Sequence, residues 1–213
     1  MRNSILVILL LLSFSCSNKD QEQFWFLEKD HNYARIKNVF EKFVDFFPEK
    51  DKVNWIISTW SLDPNDEYNV MVAFGLDNES FKKEKERLDQ LSIATYYADN
   101  DSLLVLNRFS THENYGYPDK SEIKIELIEQ DWFNDYLPVP NFWSFSRYQT
   151  NNTVSRLPND FKIYVFEAKP GIHIDKQRLV KGGYMPEKWK HGYSKGVAIS
   201  EERKEIIYWV IIW

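Results

Sequence analysis

The most regular hydrophobic pattern in the chain is its last segment, "IIYWVIIW", at positions 206 to 213. Successive side chains of an extended strand point to opposite faces of the sheet, so a strand with one wet face alternates apolar and polar residues. Here both alternating sets are apolar, and neither face is suited to contact with water. The pattern therefore predicts an inner strand that supplies core to both sides of a sheet.

Other runs of β-branched and aromatic residues precede this segment, separated by turn-forming residues. "VNWIISTW" and "YNVMVAFG" flank the turn "SLDPNDE" and predict a hairpin. Further strands are predicted in "SIATYYA", "SLLVLNRF", "EIKIELI", "FKIYVFEA" and "KGVAIS". We therefore expect one largely antiparallel sheet of about seven or eight strands, with the C-terminal strand inside it.

Two helices are predicted from apolar residues at helical spacing. The first stops at Pro48, because proline disfavours helix in the residue before it. Its apolar side comprises Ile36, Val39, Phe40, Phe43, Val44, Phe46 and Phe47. The second begins with Asp77 or Asn78 as its cap and runs to about Gln90. Its apolar face is narrow and consists chiefly of Phe81, Leu88 and Leu91.

These elements predict an α+β fold in which two helices pack on the sheet. Residues 30–213 contain no internal repeat, low-complexity tract or Gly/Ser-rich linker. Their number is typical of one domain with a sufficient hydrophobic core. We therefore expect residues 30–213 to form a single domain.

The N-terminus carries an apolar run from Ile5 to Leu12, with Arg2 before it and the small residues Ser13 and Ser15 after it. A helix needs about 20 apolar residues to cross the bilayer core, and this run is too short. A positive start, a short apolar middle and a small-residue exit are typical of a secretion signal. The sequence thus predicts a signal peptide at residues 1–15, followed by a flexible tether at 16–29.

The residue that follows this signal is Cys16, the only cysteine of the chain. The stretch resembles the lipobox of bacterial lipoproteins, whose cysteine receives a diacylglyceryl group before the signal is cut just ahead of it. Such motifs usually carry Leu, Val or Ile where this chain has Ser13, so cleavage by an ordinary signal peptidase is the alternative. A single cysteine cannot form an internal disulfide, and lipidation accounts for its presence. The resemblance implies Cys16 as the lipid attachment site.

A lipid anchor implies that the membrane is a partner of this protein and that the protein lies in the cell envelope. Ser17 follows the cysteine, where some lipoproteins retained at the inner membrane carry Asp. The polar run from Ser17 to Glu22 resembles the short acidic export tags of some outer-membrane lipoproteins. We expect the protein to lie at the outer membrane, on either its periplasmic or its surface face.

Composition and motifs exclude several functional classes. The chain has 27 Lys and Arg against 32 Asp and Glu, a formal charge of −5, which does not suit nucleic acid as a partner. It has no phosphate-binding glycine loop, nucleophile elbow or zinc-type His-Glu-x-x-His motif. No catalytic residue, metal ligand or cofactor is therefore assigned from the sequence.

Two irregular segments, 138–152 and 181–196, combine flat aromatic side chains with basic or amide groups. Such aromatics suit contact with sugar rings, peptides and protein surfaces. The candidate ligand-binding residues are Trp143, Arg147, Tyr148, Trp189, Lys190, His191 and Tyr193. The alternative is that Trp143 and Trp189 are lids on the core.

The preferred interpretation is a membrane-anchored, non-enzymatic module that binds a protein or a glycan. The alternative is an envelope glycan hydrolase with paired carboxylates, for which Glu167 and Asp131 are candidates. Two inward carboxylates about 5 to 10 Å apart in a cleft with Trp walls would favour the hydrolase. A flat or convex aromatic patch without them would favour the binding module.

Overall fold

The computed structural model describes residues 33–49, 55–61, 68–108, 136–142, 153–174 and 185–213. For residues 55–61, 68 and 69 only the backbone is described. Several predictions made from the sequence lie outside these ranges. They concern the signal, Cys16 and the tether, the strand at 122–128, and the residues Asp131, Trp143, Arg147 and Tyr148.

Two α-helices and one antiparallel sheet form the described part of the chain, which confirms the predicted α+β class. Helix α1 is described over residues 33–40, and α2 spans Asn78–Asp89. The strands are β1 (Trp55–Ser61), β2 (Tyr68–Gly75), β3 (Ala94–Tyr97), β4 (Phe161–Pro170), β5 (Gly192–Ser200) and β6 (Glu205–Ile212). Single 3-10 turns occur at Glu41–Phe43 and Glu187–Trp189.

The sheet order is β1-β2-β6-β5-β4-β3, and every neighbouring pair is antiparallel. The C-terminal strand β6 therefore lies inside the sheet, as its sequence predicts. β1 and β3 are the outermost of the six strands. The predicted number of seven or eight strands is not confirmed within the described residues.

The predicted strand "SLLVLNRF" is wrong over its described residues 102–108. They form turns with one isolated parallel bridge between Val105 and Val139. Leu103, Leu104 and Leu106 are all buried, so the run has no alternation between an inner and an outer face. Asn107 then adopts φ 53, a left-handed conformation that interrupts an extended strand.

Strand β6 separates two hydrophobic clusters, one on each face of the sheet. Ile207, Trp209, Ile211 and Trp213 belong to the first cluster, and Ile206, Tyr208, Val210 and Ile212 belong to the second. All eight side chains are buried. The prediction that both alternating sets supply core is confirmed.

Helix α1 ends earlier than its sequence predicts, since the chain turns into a 3-10 segment at Glu41, where φ is 37. Ile36, Phe40, Val44 and Phe47 are buried as predicted, and they belong to the cluster of Tyr208. Val39 is 45% exposed, so its assignment to the buried side is wrong. The helical wheel assumed one continuous helix to Pro48, and the turn changes the direction of the residues that follow Phe40.

Helix α2 begins where predicted, because the Asp77 side chain accepts hydrogen bonds from the backbone N–H groups of Glu79 and Ser80. Phe81 and Leu88 are buried as expected. Leu91 is 41% exposed, and its assignment to the buried face is wrong. The helix ends at Asp89, so Leu91 lies in the connection to β3 and not on the helical face.

Two glycines of β5 make room for the indoles that β6 and the residue after it place on the first face. A Cβ atom on Gly196 would lie 2.0 Å from the Tyr164 carbonyl oxygen and 2.8 Å from Trp209 Cζ2. On Gly192 it would lie 3.0 Å from Trp213 Cζ2. Close packing of β4, β5 and these indoles thus requires glycine at both positions.

We predict that Gly196→Ala unfolds the domain or lowers its free energy of unfolding by more than Gly171→Ala does. The added methyl at position 196 meets a backbone oxygen that only a shift of β4 can clear. Gly171 has nothing within 4 Å, and its φ of +106 makes alanine cost about 1 to 3 kcal/mol. Urea denaturation of both variants measures the difference, and equal losses would contradict the close approach of β4 and β5.

Candidate functional site

The four described members of the predicted binding set do not form one surface. Trp189 is 1% exposed and packs against Trp213, with ring centroids 6.2 Å apart. Its carbonyl oxygen accepts a hydrogen bond of 2.8 Å from Trp213 Nε1. This placement fits the alternative in which Trp189 is a lid on the core.

Tyr193 belongs to the cluster on the opposite face from Trp189. Its ring makes edge contacts with Phe43 and with His173, whose centroid is 4.5 Å away. Lys190 pairs with Glu187, and His191 is half-buried at the start of β5. Ligand binding by these residues stays a prediction, and Trp143, Arg147 and Tyr148 lie outside the described residues.

A charged cluster lies beside Tyr193, where a β-bulge interrupts the pairing of β4 with β5 between Val165 and Glu167. Lys195 Nζ lies 3.4 Å from Glu167 Oε2 and 3.4 Å from Asp45 Oδ1. Lys169 Nζ lies 2.5 Å from the other oxygen of Glu167. A bulge of this kind re-aims side chains and is common near functional sites.

The cluster keeps Glu167 ionised. The hydrogen bond from Lys169, with further contributions from Tyr193 and Lys195, lowers the pKa of the Glu167 carboxyl to about 2. Burial and the neighbouring Glu167 raise the pKa of the Tyr193 hydroxyl. The Glu167 carboxylate is thus an anion held between the ammonium groups of Lys169 and Lys195.

This arrangement does not favour the hydrolase alternative. The carboxylates of Glu167 and Asp45 share one ammonium group, so they lie close enough for a glycosidase pair. However, a general acid needs a raised pKa, and the pKa of Glu167 is lowered. Asp45 is 67% exposed at its side chain, and none of the described residues that line the cavity beside these two carboxylates is a Trp.

A larger cleft of about 760 Å³ lies between residues 45–49 and helix α2. Three of its polar side chains bind one another. The Tyr208 hydroxyl donates to Glu84 Oε1, and the Arg87 guanidinium donates to both oxygens of Glu84 and to the Phe46 carbonyl oxygen. These hydrogen bonds connect α2 to β6 and to the segment after α1, and they help to hold α2 on the sheet.

The described apolar surface is concentrated at one edge of the sheet. Five large hydrophobic residues are exposed in the described part of the chain, and three of them lie within residues 91–97. We call these three residues, Leu91, Ile93 and Tyr97, the apolar shelf; they are 41%, 62% and 59% exposed. Lys162 of β4 lies over the Tyr97 ring, 5.3 Å from its centroid.

The backbone of β3 also presents hydrogen-bonding groups at this edge. The backbone N–H of Ala98 donates to the Phe161 carbonyl oxygen over 3.1 Å. This bond shows which residues of the strand direct their backbone groups toward β4. Residues of an antiparallel strand alternate between inward and outward backbone groups. The backbone groups of Thr95 and Tyr97 therefore point away from β4, toward the side where none of the six described strands lies.

The sequence interpretation missed the apolar shelf, although part of its signal is visible. In "SIATYYA", Ile93, Thr95 and Tyr97 occupy alternate positions and therefore share one face of the strand. The pattern alone predicts that this face is buried. Its exposure follows from the position of β3 as the outermost described strand, none of whose residues belongs to the cluster under the helices.

Comparison with protein-family models, with curated proteins and with solved structures finds no match to this chain. None of the described helices is long and apolar enough to cross a membrane. Within the same residues, no three His, Cys, Asp or Glu side chains are grouped to hold a metal ion.

We predict that Glu167→Gln destabilises the domain more at pH 7 than at pH 3. The pKa of Glu167 is lowered on folding, so its contribution is present above the ordinary carboxyl pKa of about 4.5 and is lost as pH falls toward 2. Urea denaturation of the wild type and the variant at both pH values measures the gap in free energy of unfolding.

Glu202→Gln is the matched control, because this exposed carboxylate has no described ion pair. We expect this control to leave the free energy of unfolding nearly unchanged. A gap for Glu167→Gln that is as large at pH 3 as at pH 7 would contradict the ionised cluster.

Proposed function

We propose that this chain is an envelope lipoprotein, anchored through Cys16, whose α+β domain binds a partner through the apolar shelf. The N-terminal signal and its resemblance to a lipobox support the anchor. The exposed residues Leu91, Ile93 and Tyr97 support the binding surface. The role is binding without catalysis.

The observation that carries this proposal is a group of exposed apolar side chains on and beside β3, which is the outermost described strand on its side of the sheet. Natural edge strands are usually blunted by charged residues, proline or a covering element, because open edges pair with other chains. β3 reads Ala-Thr-Tyr-Tyr from Ala94 to Tyr97 and contains neither a charged residue nor proline. Grouped exposed hydrophobic side chains typically mark an interaction site.

A lipid anchor is consistent with such a role. Two or three acyl chains hold a protein on a membrane almost permanently, whereas one chain binds marginally. Anchoring confines the domain to a thin layer and raises the effective concentration of any partner in the same layer. A modest binding surface is then sufficient for a stable encounter.

The test is cross-linking in cells with the full-length chain. We expect the double variant Ile93→Ser, Tyr97→Ser to reduce cross-linked products in the membrane fraction about tenfold or more. Loss of buried apolar area from two large side chains corresponds to at least about 1.4 kcal/mol of binding free energy. Cys16→Ser is expected to move the protein from the membrane fraction to the soluble fraction.

The matched control is Val39→Ser, Ile172→Ser, which removes two exposed apolar side chains outside the apolar shelf. Equal loss of products in both double variants would show that the apolar shelf has no specific role. Cys16→Ser protein that stays in the membrane fraction would refute the anchor and leave the binding surface standing.

A further inference from the structure

One short sequence motif lies within the described residues and has no part in the proposed function. Asp101, Ser102 and Leu103 are consecutive, and Asp101 is the only aspartate of the chain that is followed by a serine or threonine. The triplet resembles the three-residue acceptor site for O-glycosylation in some envelope-exposed bacterial proteins. The resemblance makes the Ser102 hydroxyl a candidate for glycan attachment.

Ser102 lies in a turn that follows β3. The backbone N–H of Asn100 donates to the Tyr97 carbonyl oxygen over 3.1 Å, and that of Leu103 donates to the Asn100 carbonyl oxygen over 3.2 Å. The Asn100 side chain also accepts from the backbone N–H of Ser102 over 2.8 Å. Connecting segments of this kind run over the protein surface, where an enzyme can reach them.

The three residues of the motif have different environments. Leu103 is 0% exposed and belongs to the first hydrophobic cluster. Asp101 is exposed, and Ser102 is partly exposed. The apolar residue of the motif therefore anchors the turn in the core, while the two polar residues remain at the surface.

Arg108 holds the backbone on both sides of Ser102. Its guanidinium donates to the Asp101 carbonyl oxygen over 3.1 Å and to the Leu103 carbonyl oxygen over 3.3 Å. One side chain thus fixes both ends of the motif. A turn that is already ordered loses little conformational entropy when an enzyme binds it.

The fold makes no use of the Ser102 hydroxyl among the described residues. The hydroxyl groups of the buried residues Ser155, Ser194 and Ser200 each donate a hydrogen bond to another residue. Within the same part of the chain, Ser102 takes part in a hydrogen bond through its backbone N–H and not through Oγ. A sugar on this oxygen would therefore break no described hydrogen bond.

We propose that Ser102 is an O-glycosylation site, at which a glycosyltransferase of the cell envelope attaches a sugar to the side-chain oxygen. The transferase recognises the Asp101 carboxylate beside the acceptor. This inference goes beyond the proposed function and shares with it only the export of the chain.

The transfer requires an activated donor, which is a sugar whose anomeric carbon is bonded to a lipid-linked diphosphate. A bond forms between Ser102 Oγ and the anomeric carbon, and the bond from that carbon to the diphosphate oxygen breaks. The diphosphate leaves with the electron pair of the broken bond, and the hydroxyl proton passes to a base of the transferase. The attached glycan is bulky and hydrophilic, so it needs a surface position such as this turn.

The experiment is mass spectrometry of the full-length chain, purified from the membrane fraction of the cells that produce it naturally. Trypsin cleaves after Arg87 and Arg108, and the peptide between these sites contains Ser92 and Thr95 as well as Ser102. We expect this peptide to gain the mass of one or more sugar residues, and we expect fragmentation to localise the gain to Ser102. Ser92 and Thr95 lack the motif and are internal controls.

Ser102→Ala and Ser102→Thr are the matched variants. The first removes the acceptor oxygen and the second keeps it, so we expect the glycan to be lost in Ser102→Ala and retained in Ser102→Thr. Asp101→Asn keeps the size of the side chain and removes its charge, and we expect it to lose the glycan. Circular dichroism checks that all three variants are folded.

An unmodified Ser102, a phosphate in place of a sugar, or a sugar on Ser92 or Thr95 alone would overturn the inference. Folded Asp101→Asn with as much glycan as the wild type would overturn the recognition of the carboxylate. If Ser102 is unmodified while Ile93→Ser, Tyr97→Ser still loses its cross-links, glycosylation fails and the proposed function stands. If Ser102 carries a glycan while those cross-links persist, the proposed function fails and the glycosylation site stands.

Discussion

The whole fold depends on one constraint, which is that β6 is apolar on both faces. A strand of this kind is stable only when other strands flank it and both faces are covered. Seven of its side chains, together with Trp213 after it, divide between two hydrophobic clusters, and β2 and β5 pair with its two edges. The other described strands extend the sheet outward from this centre, which leaves β1 and β3 as the outermost of the six.

The apolar shelf is a consequence of this arrangement. The two helices pack on the face that carries Tyr208 and Val210, and the cluster there includes residues of β2, β4, β5 and β6 but none of the described residues of β3. β3 is separated from β6 by β5 and β4, and Ile93 and Tyr97 at this side of the sheet remain exposed. The same face holds Lys195 between Glu167 and Asp45, which ties residues after α1 to the bulged strand β4. The two helices thus cover the centre of the described sheet, and no β3 residue belongs to the cluster beneath them.

Features that depend on local sequence were predictable. The two apolar sets of β6 and the Asp77 cap of α2 follow from side-chain alternation and from hydrogen bonds to neighbouring N–H groups. Features that depend on the pairing of segments far apart in the sequence were not predictable. Four consecutive apolar residues at 103–106 resemble a strand, and only their burial on all sides shows a packed turn. Likewise, the local pattern of β3 does not reveal that β4 is its one partner among the described strands, nor that a bulge brings Glu167 to Lys195.

The central claim is that the described sheet is built around β6 and that the outer edge of β3, its last described strand, is open. Hydrogen–deuterium exchange resolved to single residues on the intact chain tests it most directly. The account predicts the slowest exchange in β6, and along β3 slow exchange at Tyr96 and Ala98 with fast exchange at Thr95 and Tyr97. Protection at Thr95 and Tyr97 as strong as that at Tyr96 would mean that the edge is already covered and would contradict the account.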